Sequence, residues 1–131
     1  MKRTSVNPSS WSLKLGFDQA QLVEGHRREL ICSGQDAVDA DGNAQHPSDM
    51  AAQLGLSLDN LEAVLTDAGM TLANVVRLNI YTTDVDALFQ HFTILQERFA
   101  GGGERYATTV LGVARLALPE LLVMLEATAM D

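Results

Sequence analysis

A chain of 131 residues is the length of one domain, long enough to bury a core and too short for two. A hydrophobic fraction of 47% with 20% charged residues is ordinary globular composition and argues against a disordered chain. The formal net charge of −8 removes the attraction that supplies most non-specific affinity for nucleic acid, which is therefore not an expected partner. No apolar run reaches the ~18–20 residues of a membrane span, so no membrane partner is expected. Met1–Pro8 carries two basic residues without the apolar stretch of a secretory signal. With a single cysteine, Cys32, an intrachain disulfide is excluded and a cytoplasmic protein is the simplest expectation.

Residues 1–16 are polar and serine-rich, and residues 1–13 are expected to form an N-terminal loop or arm, with Trp11 as an anchor. A strand is predicted over Phe17–Glu24, a turn at Gly25–Glu29 and a buried strand over Leu30–Gly34. Asp39-Ala-Asp-Gly-Asn43 is a turn signal, because Asp and Gly suit the conformations of tight turns. Its acids lack the glutamate that an EF-hand calcium loop requires.

The first helix is predicted to start at Pro47-Ser48, with the Ser48 hydroxyl as N-cap. Leu54, Leu58, Leu61 and Leu65 form its apolar face and Gly69 ends it. Val75–Thr82 reads as a strand, since Val76, Leu78 and Ile80 alternate with Arg77, Asn79 and Tyr81. A second helix is predicted from Asp84 as N-cap, with Leu88, Phe92, Leu95 and Phe99 as its stripe and Gly101–Gly103 beyond its end. Two apolar strands close the chain, Thr109–Leu116 and Leu121–Thr128, joined by a turn around Pro119. The order predicts an α+β domain over residues 1–131, a sheet with two helices packed on one face.

Motifs that would announce a reaction are missing. His26, His46 and His91 have no metal-ligand spacing with one another or with Cys32, so no metal site is expected. Cys32 sits in an apolar strand and reads as a small buried hydrophobe. The Gly101–Gly103 run follows a helix instead of opening one, so it lacks the dipole support of a phosphate cradle. No cofactor-binding motif is present.

Five stretches nevertheless carry a resemblance: Ser33-Gly34-Gln35, Gln53…Ser57-Leu-Asp-Asn-Leu61, Ala68-Gly69-Met70, Val76…Tyr81 and Val113-Ala-Arg-Leu116…Leu125-Glu-Ala127. In this order they resemble the RidA/YjgF family of reactive intermediate deaminases and their relatives, over residues 14–129. The resemblance implies a chorismate-mutase-like α+β fold, a homotrimer, and small-molecule clefts at the subunit interfaces. It also implies hydrolysis of enamines and imines, such as 2-iminobutanoate, released by pyridoxal-phosphate enzymes.

Carried over position by position, the family's site is altered. The arginine that holds the substrate carboxylate falls on Thr108, which offers one hydroxyl and no charge. The glutamate that handles the attacking water falls on Met124, which cannot transfer a proton. Glu126 survives on the same strand face, about two residues (~6–7 Å) away. The family's cysteine falls on Val110, its tyrosine on Phe17 and its helix asparagine on Phe92, while its serine is kept as Ser33. Arg105, three residues before Thr108, is the one cation near enough to be weighed as a replacement. Five of the six matched side chains have thus lost the polar group of the deaminase pattern.

The expected function is therefore a trimer that binds a small uncharged or partly apolar metabolite in inter-subunit clefts. The candidate ligand-binding set is Phe17, Ser33, Phe92, Arg105, Thr108, Val110, Met124 and Glu126. A 2-imino acid deaminase and a purely structural or regulatory trimer are the alternatives.

Overall fold

The computed structural model describes residues 1–131. Ten regular elements follow one another: strand β1 (Lys2–Val6), β2 (Ala20–Glu24), β3 (Glu29–Ile31), β4 (Gln35–Asp36), helix α1 (Met50–Asp67), β5 (Val75–Thr82), α2 (Val85–Gln90), α3 (Phe92–Ala100), β6 (Ala107–Gly112) and β7 (Val123–Met130). The central sheet runs β3-β7-β5-β6, with β4 also paired to β7. It is mixed: β5 and β6 are parallel, and the pairs of β7 with β3, β4 and β5 are antiparallel.

The expected α+β class is the one observed. The apolar periodicity of α1 does what its spacing predicts, since Leu54, Leu58, Leu61 and Leu65 are completely buried. They pack with Leu78, Ile80, Val123, Leu125, Ala127 and Ala129 from one face of the sheet and with Leu88, Leu95 and Phe99 of α2 and α3. Truncating Leu58 or Leu61 to alanine is expected to cost about 2–5 kcal/mol, measurable by urea unfolding; a loss below about 1 kcal/mol would contradict this core.

Several boundaries differ from the sequence reading. The first residues are not an arm, because Lys2–Val6 pairs antiparallel with Ala20–Glu24 as a separate two-stranded sheet. No apolar alternation marks this strand. Its tether is Arg3, whose guanidinium donates to the Ala73, Val75 and Arg105 carbonyls. Ser48 does not cap α1, since it lies at φ 64, in the left-handed region, whereas a capping residue is extended. Asp49 caps instead, accepting from the Ala52 N–H at 3.0 Å. The predicted second helix is broken at His91, which ends α2 and precedes α3.

The largest correction concerns the closing strands. They are shorter or shifted relative to Thr109–Leu116 and Leu121–Thr128, and they do not pair with each other. Strand β5 lies between them, hydrogen-bonded to β6 on one side and β7 on the other. Two consecutive apolar runs do not reveal whether a third strand inserts between them.

Candidate functional site

Sheet register decides which candidate residues can meet. Thr108 pairs with Leu78 and Val110 with Ile80, so both lie on the helix-covered face. Met124 pairs with Tyr81 and Glu126 with Asn79, which places them on the opposite face. Thr108 and Val110 therefore lie on the opposite side of the sheet from Met124 and Glu126, and these four do not form a single site within one chain.

On the helix side, four of the eight candidates gather. Phe17, Phe92, Thr108 and Val110 line a cleft of ≈ 600 Å³, a usual size for a small-molecule pocket. Its other walls come from Trp11 and Leu15 of the loop after β1, and from Phe89, Thr93 and Gln96 of α2 and α3. The rings form two packed pairs. Trp11 meets Phe17 edge-on with centroids 5.6 Å apart, and Phe89 meets Phe92 at 5.6 Å. Trp11, read as an anchor, is 54% exposed and forms a wall of this cleft.

Not one of the nine lining residues is charged. Thr108 does not supply a free donor either, because its hydroxyl donates to the Leu78 carbonyl at 2.6 Å. Arg105 lies outside this lining. It borders a neighbouring cavity of ≈ 340 Å³ with Glu104 and Tyr106, and only Gln96 lines both.

A buried acid holds the cleft's outer wall in place. Asp18 follows Phe17 directly, is completely buried, and accepts from the Ser5 hydroxyl at 2.6 Å and the Asn7 amide at 2.8 Å. The Gln21 amide donates to the same carboxylate. The Asp18 N–H donates to the Tyr106 carbonyl at 2.9 Å, tying this segment to the start of β6. Sequence reading missed Asp18, whose signal was only a lone acid between two apolar runs.

The open face carries a polar cluster. Asn79 and Tyr81 both donate to Glu126 Oε1, at 3.1 and 2.9 Å. These bonds, Asn79's first and then Tyr81's, hold the Glu126 carboxyl below its ordinary range. The bond to Glu126 correspondingly raises the Tyr81 phenol. A depressed carboxylate stabilises the fold above its unfolded-state pKa and loses that contribution as pH falls through its folded value. Tyr81→Phe should therefore raise the pH of acid unfolding, while Tyr81→Phe added to Glu126→Gln should change it no further; circular dichroism during acid titration checks both.

Met124 is packed tightly, since a Cβ on Gly34 would stand 2.3 Å from its sulfur. Ser33, which precedes Gly34, is exposed. Across the strand from Met124 stands Asp36, on the same sheet face. Burial pushes the Asp36 carboxyl above its ordinary value. Sequence reading missed this acid, because only the β4–β7 register brings it to Met124. Cys32 is buried as expected, and desolvation raises its thiol.

These features define the class: one α+β domain with an uncharged aromatic cleft on the helix side of a mixed sheet. The family described as Endoribonuclease L-PSP matches residues 18–131. A conserved Rid-family protein of unknown function from Yersinia pestis superposes with a TM-score of 0.88, at 36% identity over 100% of both chains. The YjgF gene product of E. coli gives 0.70 at 26% identity, over 88% of this chain and 87% of that one. The mitochondrial protein mmf2 of Schizosaccharomyces pombe is 37% identical over 86 residues, 66% of this chain and 64% of that protein, so the match spans less than two thirds of it. The chain belongs to the RidA/YjgF family. No helix is long and apolar enough to cross a membrane.

Proposed function

We propose that this protein is a homotrimer that binds a small uncharged, partly apolar metabolite in clefts completed between copies. The observation that carries this reading is the absence of any charge from the lining of the ≈ 600 Å³ cleft. A carboxylate entering it would lose water without gaining a cation, at a cost of several kcal/mol. Assembly is supported by the division of the candidate residues between two sheet faces. If family members bind ligand between subunits, one copy supplies Phe17, Phe92, Thr108 and Val110, and the next supplies Ser33, Met124 and Glu126. The open face also leaves Ile31 77% and Leu111 49% exposed, which a second copy of this chain would cover. Cytoplasmic residence is part of the same proposal.

A second reading, hydrolysis of an imine that lacks a carboxylate, is favoured by Asp36. Asp36 is a partly buried carboxyl whose pKa burial raises, which suits it to hold and pass on a proton. Water would add to the C=N carbon as Asp36 takes its proton. The C–N bond then breaks, with the nitrogen leaving as ammonia after protonation. On this reading Asp36→Asn abolishes turnover while ligand binding survives, which parallel rate and binding measurements would separate.

Binding of a matched pair tests the primary reading. Methyl butanoate and butanoate differ by one charge, and the single tryptophan, Trp11, reports occupancy by its emission. The ester is expected to bind at least ten-fold more tightly than the acid; equal or tighter binding of the acid would overturn the reading.

A further inference from the structure

We infer that the cleft takes a ligand built on an aromatic ring with an N–H or O–H donor at its edge, as in a phenol or an indole. This inference rests on the proposal that the cleft binds an uncharged molecule, and names the chemical class of that molecule.

The first ground is the ring content of the walls. Trp11 and Phe17 stand on one side as an edge-to-face pair, and Phe89 and Phe92 form a tilted pair from the helices. Protein aromatics that fill a core are buried, yet Phe89 is 55% and Trp11 54% exposed. Their apolar surface is turned to a cavity open to solvent. A flat ring inserted between such pairs gains stacked and edge-on contacts that an aliphatic ring of equal size does not.

The second ground is the polarity of the few polar atoms. Gln96 Nε2 donates to the Leu15 carbonyl at 2.9 Å, which fixes the orientation of the amide and leaves Oε1 without a protein donor. Thr108 has committed its proton to the Leu78 carbonyl, so its oxygen can only accept from a ligand. Gln96 and Thr108 are thus positioned acceptors, while Thr93 carries a hydroxyl that can donate or accept. The two acceptors match a ligand that donates, and they repel a carboxylate, which can only accept.

Four probes separate these grounds: phenol, anisole, cyclohexanol and benzoate. Binding to the full-length protein is followed by Trp11 emission excited at the red edge of indole absorption, and by ligand-detected NMR. Phenol is expected to bind about three- to ten-fold more tightly than anisole, which lacks the donor. It should bind about two- to ten-fold more tightly than cyclohexanol, which lacks the ring. Thr108→Val, close in shape, should narrow the phenol–anisole gap, and Phe92→Leu should narrow the phenol–cyclohexanol gap. Cyclohexanol or anisole equalling phenol would overturn the inference and leave the uncharged-ligand reading standing. Benzoate binding most tightly would overturn both. Failure of phenol to bind at all would overturn the inference, and the methyl butanoate comparison would then decide the broader reading.

Discussion

Thr108→Arg is expected to turn a cleft that rejects carboxylates into one that accepts them, raising affinity for butanoate by about 10- to 100-fold. Thr108 lies beside Leu78 on the helix-covered face and lines the aromatic cleft, so an arginine there would place its guanidinium among Phe17, Phe92 and Val110. A guanidinium fork there matches a carboxylate bidentately. The substitution also removes the Thr108 hydrogen bond to Leu78, so a stability loss of about 1 kcal/mol should accompany the gain. Fluorescence titration of the folded variant checks both the affinity and its reversal of preference between butanoate and its methyl ester. A folded Thr108→Arg protein that still prefers the ester would show that the lining does not set the charge of the ligand.

Ile31→Asp combined with Leu111→Asp is expected to yield monomers at micromolar concentration. Both side chains stand on the open sheet face, Ile31 opposite Thr128 and Leu111 opposite Tyr81. They are the large apolar groups most exposed there, at 77% and 49%. If copies pack through this face, each buries two unpaired carboxylates, at several kcal/mol apiece. Neither substitution touches the core between the helices and the sheet, so the monomer should keep its helical and strand content. Sedimentation velocity on the wild type and the variant gives the result directly. A trimer that survives both changes would move the interface elsewhere.

Much of the fold was legible because period and punctuation agreed. Val75–Thr82 alternates so regularly that its observed bounds match the predicted ones. The leucines of α1 announced its buried face, although Asp49 rather than Ser48 caps it, a choice set by backbone conformation. Strand β1 was illegible, because it lacks apolar alternation and its tether, Arg3, reaches carbonyls about 70 to 100 residues away.

The site was legible in part. Phe17, Phe92, Thr108 and Val110 do share a cleft. Their separation from Met124 and Glu126 depends on register, which periodicity within one strand cannot supply. Asp18 and Asp36 escaped notice for the same reason, since each acquires its meaning from a distant strand. The aromatic walls from Trp11 and Phe89 needed the folded loop and the break at His91.

An uncharged cleft is expected to leave free 2-imino acids unbound and unhydrolysed. The most direct measurement generates 2-iminobutanoate in place with an amino-acid oxidase and follows its hydrolysis with and without the purified protein. No acceleration over buffer is expected from the wild type. Hydrolysis at the rate of a relative that carries the arginine and glutamate would contradict it.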